Sequence, residues 1–157
     1  MGSLMDLIAG DQRDIVLALA VEDVAAFSDP DRFTAHLSLG GGLDPTWLDL
    51  FSEAVRDATG LPDPVNFLDA RTEVDGTATT TERIVEAVDP GWVAAVAAVT
   101  QEQLGAIAGR WIALLEEEQG ERLPREEKPW IRDLTGKVVE FCRASTSARV
   151  VIFAWGY

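Results

Sequence analysis

His36 is the only histidine in this chain, and so the only side chain whose unperturbed titration falls near neutrality. It lies on the polar side of an alternating stretch, Phe33 to Leu39, just before the glycine run Gly40-Gly41-Gly42. Acid–base or nucleophilic chemistry by such a histidine needs a partner: a hydroxyl to activate, a carboxylate to orient the ring, or a metal. Ser38 stands two residues on and shares its strand face. No Gly-x-Ser-x-Gly elbow accompanies the pair. Asp44 is close in sequence, but an Asp before a proline reads as a helix cap. A histidine at the rim of a half-buried strand is the simpler expectation. A pocket shared by His36 and Trp155 is the alternative.

The other chemical candidates are sparser. Cys142 is the sole cysteine and sits in an apolar stretch, which fits a buried structural thiol rather than a nucleophile. One His and one Cys do not make a zinc tetrahedron, and no Asp-rich loop has EF-hand spacing. The glycine run before a helix lacks the rest of a phosphate cradle, and Asp44 would set a negative charge where the phosphate belongs. No cofactor or metal is expected from these patterns. Glu116, Glu117, Glu118 and Glu121 head the densest acidic stretch, which reads as a solvated helix end or as a partner-binding surface. Trp47, Trp92, Trp111 and Trp130 fall on predicted helices and Trp155 on a predicted strand; core packing explains them first, a binding groove second.

Hydrophobic periodicity supplies the elements that must hold these residues. Leu4 to Ala9 reads as a strand, then Gln12 to Phe27 as a helix stopped by Asp29-Pro30. Phe33 to Leu39 alternates as a half-buried strand, with Phe33, Ala35, Leu37 and Leu39 on one face and Thr34, His36 and Ser38 on the other. Asp44-Pro45 opens a helix that runs to Thr59 and is capped by Gly60. Leu61 to Thr81 carries the weakest pattern, a loop with a hairpin turn at Asp75-Gly76. Glu82 to Val88 reads as a strand, and Asp89-Pro90 starts a helix to about Val99. Thr100 and Gln103 have the spacing of a capping box that begins a helix to Gln119, with Gly120 beyond it. A last helix covers Glu126 to Ser145. The run Val150 to Phe153 is apolar without alternation, as a strand covered on both faces in mid-sheet is.

This order predicts one α+β domain over residues 1–157, a small sheet of about four strands with five or six helices largely on one face. A three-layer α/β sandwich is the alternative. The chain has 27 acidic and 13 basic residues, a net charge of −14, and is 47% hydrophobic. That charge opposes nucleic acid and anionic membrane surfaces and favours a basic protein partner. No apolar run reaches the roughly 18 residues of a membrane span, and the start lacks a signal-peptide pattern, so a cytoplasmic location is expected. Eleven Arg against two Lys, with abundant Ala, Asp, Gly and Val, is the composition of a GC-rich bacterial genome.

In the C-terminal half, Trp92-Val-Ala-Ala-Val, the capping box, Ile107-Ala-Gly-Arg-Trp111, a charged loop, a helix ending Phe141-Cys-Arg-Ala and a terminal strand together resemble the YfbM-like group of small bacterial proteins. The resemblance covers about 65 residues and implies an α+β fold. It carries over no catalytic residue. The expected function is therefore a non-catalytic protein-binding module, of inhibitor or immunity type, acting through its acidic surface. The alternative is a ligand-binding protein or enzyme built around His36.

Overall fold

Five strands form one antiparallel sheet in the order β2-β1-β5-β4-β3 in a computed structural model that describes residues 4–40, 43–74 and 83–156. The strands are β1 (Leu4–Gly10), β2 (Ala35–Gly40), β3 (Arg71–Glu73), β4 (Ile84–Val88) and β5 (Val150–Gly156). The helices are α1 (Gln12–Ala20), α2 (Thr46–Thr59), α3 (Pro90–Ala97), α4 (Leu104–Gln119) and α5 (Glu127–Ser145). The α+β class holds, with one strand more than expected. β3 is the addition: three residues, Arg-Thr-Glu, too short and polar to show a period. It pairs with β4, so the segment holding Asp75-Gly76 joins two antiparallel neighbours; the turn itself lies outside the described residues.

β5 sits in the middle of the sheet, as its unbroken apolar run requires, and β1 beside it is likewise buried on both faces. One face carries Met5, Leu7, Leu39, Val151 and Phe153 against α2, α3, α4 and α5. The opposite face carries Ile8, Val85, Ile152 and Ala154 against α1 and a 3-10 turn at Val24–Ser28. Four of the five α-helices thus share one face.

Two boundaries differ from expectation, for one reason. α1 stops at Ala20 because Glu22 takes a left-handed conformation (φ 55°) and the Asp23 N–H turns back to the Ala18 carbonyl. The chain then swings Phe27 and Phe33 into the smaller core, ring against ring at 5.1 Å. Phe33 therefore precedes β2 and packs on the α1 side, not on the face of Leu37 and Leu39. No glycine marks this reversal, which hides it in the sequence.

The caps follow their residue types. Asp44 and Asp89 accept the N–H groups of Thr46 and Gly91, Gly60 and Gly120 close α2 and α4 at φ 72° and 74°, and the Thr100 N–H donates to Gln103 Oε1. Among the described residues no helix is long and apolar enough to cross a membrane.

Candidate functional site

Asp6 is the one polar residue inside the apolar run of β1, and it is buried. A carboxylate taken out of water there needs partners for both oxygens. It has them. Nε2 of His36 lies 2.7 Å from Oδ1, and Arg83 Nη1 lies 2.6 Å from Oδ2. The sheet arranges this contact. His36 on β2 faces Ile8 on β1, on the α1 side, and Asp6 points to the same side one step along. Arg83, next to the start of β4, reaches over β5 where Ala154 stands between Val85 and Asp6 in the register. A larger residue than Ala154 would obstruct that path. The Phe27 ring lies 5.2 Å from the imidazole.

The electrostatics of Asp6 are a contest. Burial raises its carboxyl pKa; the hydrogen bonds from His36 and Arg83, with the guanidinium charge, outweigh burial and hold it below the ordinary value. An ionised carboxylate only accepts, so Nε2 of His36 carries the hydrogen. Nδ1 has no hydrogen-bond partner among the described residues. The His36 side chain is 14% exposed. Among the described residues no three His, Cys, Asp or Glu side chains converge as a metal-binding set.

Trp155 lies on the other face. It pairs with Met5, stacks on Phe153 and donates its indole N–H to Glu86 Oε1 at 2.7 Å. The structure does not bring His36 and Trp155 together. Glu86 Oε1 also accepts from Arg71, whose guanidinium covers the rings of Phe67 and Phe153. From there Phe67, Trp92, Phe51 and Trp111 continue an aromatic chain through the main core. Trp92 and Trp111 satisfy their N–H groups on Ser52 Oγ and the Trp47 carbonyl. Of the five tryptophans, Trp130 is the most open, tilted against Trp47. Cys142 is buried, and burial pushes its thiol well above the ordinary range.

The acidic stretch divides. Glu116, in the last turns of α4, accepts the Leu123 N–H and lies near Lys128. It braces the loop to α5. Glu117, Glu118 and Glu121 are exposed and have no ion-pair partner among the described residues. Two of these sit at the C-terminal end of α4, where the helix dipole already presents negative charge and the last turn has no basic residue of its own.

Sequence reasoning missed Asp6 and Arg83 as partners of His36. The available signal was Asp6 itself, a charge inside a strand that is otherwise apolar on both faces. Comparison with protein families, curated proteins and solved structures finds no match to this chain.

Proposed function

We propose that this chain is a non-catalytic module that binds a basic protein, with Glu117, Glu118 and Glu121 as part of the attracting surface. One observation carries the proposal. Glu117 and Glu118, without an ion-pair partner among the described residues, sit at the end of α4 that the macrodipole makes least hospitable to them, and the last turn of α4 has no basic residue of its own. Stability alone favours Lys or Arg there, so the acids point to a use outside the fold. The fate of the arginines supports the same reading. Arg56, Arg71 and Arg83 turn toward groups of the fold, where Glu86 and Asp6 accept from Arg71 and Arg83. The acid excess therefore lies on the exterior, where it can steer a cationic partner.

The test is affinity capture at low ionic strength, elution with salt, and identification of what elutes. Partners of net positive charge, retained less by a Glu117→Lys/Glu118→Lys variant, are expected. Recovery of only neutral or acidic proteins, indifferent to salt, contradicts the proposal.

A second reading rests on the Asp6–His36 contact. A carboxylate-oriented imidazole with Nδ1 unoccupied has the form of an acid–base group. NMR screening of small molecules decides it. Hits that move the His36 ring signals and are lost in Asp6→Asn support it; hits that never reach His36 contradict it.

A further inference from the structure

The loop after α2 is pinned in place yet presents apolar side chains to water. Phe67 anchors it in the core against Trp92 and Phe153. The Arg56 guanidinium donates to the Pro64 carbonyl and to Asn66 Oδ1, both at 2.8 Å. Asp49 Oδ1 accepts the Leu68 N–H at 2.6 Å. Between these fixed points Leu61, Val65 and Leu68 stand 61%, 44% and 63% exposed. Leu61 also forms one wall of a groove of about 350 Å³ between this loop and α3. Its floor is Val55, Ala95, Ala98 and Val99, and Asp63 stands at its rim.

Apolar surface held rigid before binding loses little entropy when a partner covers it. Its surroundings restrict the partner. From Asp57 to Ala70 the chain has three acids and no Lys or Arg; Asp57 is paired with Arg110 of α4 at 2.8 Å, which leaves Asp63 and Asp69 without an ion-pair partner among the described residues. Arg56, the nearest cation in sequence, is turned to the loop backbone. A second copy would bring two net charges of −14 together, and the nearby Arg143 guanidinium is already turned to the Ala97 and Val99 carbonyls. An anionic bilayer meets the same repulsion.

We infer that the 61–68 loop and the adjoining groove are the contact surface for an amphipathic basic segment of the partner. An aliphatic or aromatic side chain enters the groove over Ala98, and flanking Lys or Arg side chains meet Asp63 and Asp69. This rests on the protein-binding reading above and adds a place and a chemistry to it.

The experiment titrates the ¹⁵N-labelled full chain with a synthetic Leu/Lys amphipathic helix of about 18 residues. Two control peptides carry Glu for Lys or Ser for Leu. Amide shifts are expected to cluster at Leu61, Leu68, Ala95 and Ala98 with the Leu/Lys peptide alone. Ala98→Trp, which fills the groove from an exposed position, and Leu61→Asp, in the exposed loop, are each expected to weaken binding at least tenfold with the spectrum otherwise retained. Shifts confined to Glu117, Glu118 and Glu121 overturn the groove and leave the basic-partner reading standing. Equal response to the Glu peptide overturns the charge complementarity. Absence of any shift overturns the groove proposal, and concentration-dependent shifts without peptide replace it with self-association.

Discussion

Asp6 and Asp49 carry the same functional group and contribute to stability with opposite sign. Asp6 loses hydration but gains His36 and Arg83, and its pKa in the folded protein lies below the ordinary value. Its contribution is present above the unfolded pKa and is lost as pH falls through the folded value. Asp49 loses hydration and gains chiefly the Leu68 N–H; burial wins, and its pKa is raised. Ionised Asp49 therefore costs stability at neutral pH, and that cost is relieved as pH falls through its folded pKa. Denaturant titration distinguishes the two. Asp6→Asn should destabilise by roughly 3 kcal/mol at pH 7, because the amide has one accepting oxygen where the carboxylate offers two, and the half-buried Arg83 guanidinium loses its charged acceptor at Asp6. That loss should shrink toward pH 3. Asp49→Asn keeps an oxygen for Leu68 and should be neutral to slightly stabilising at pH 7. The role of His36 was half legible: its strand and face could be read from alternation, but its partner lies 30 residues upstream on a different strand. Only the register of β1 against β2 brings them together.

At the scale of elements, legibility followed the locality of the signal. α2, α3, α4 and β5 matched their expected spans closely, because caps and periodicity are written within a few residues. Asp89-Pro90 and Gly120 are such marks. β3 and the end of α1 were not legible, since one is fixed by pairing with β4 and the other by the demand of Phe27 for the smaller core. The face on which each tryptophan lies belongs to tertiary structure as well. Trp92 shows what that placement costs when disturbed. Its indole N–H has Ser52 Oγ, on a neighbouring helix, as its partner at 2.9 Å in a fully buried site. Ser52→Ala should therefore lower stability by about 1–3 kcal/mol, the cost of an orphaned buried donor, while Ser52→Thr should lose less where the extra methyl fits. Urea unfolding followed by tryptophan fluorescence measures both. In the native state Cys142 should resist alkylation, and its labelling rate should track unfolding rather than reagent concentration at high reagent.

For the whole molecule, the distribution of charge matters more than its sum. The sheet and its two cores use arginines as internal donors, and the acid excess is left on the outside. The end of α4 shows the trade most clearly. Glu117→Lys/Glu118→Lys should raise thermal stability slightly, by a few tenths of a kcal/mol per site, through the helix dipole and relief of like-charge repulsion. The same change should impair partner association. The net charge was plain in the sequence; its exclusion from the interior was not, because the partners of the internal arginines are scattered across β1, β4 and the loop after α2. Stopped-flow association with the captured basic partner tests the central claim most directly. The rate should fall at least tenfold between about 20 mM and about 200 mM salt, and less steeply for Glu117→Gln/Glu118→Gln/Glu121→Gln. A rate that ignores salt, with the variant indistinguishable from the parent, would contradict it.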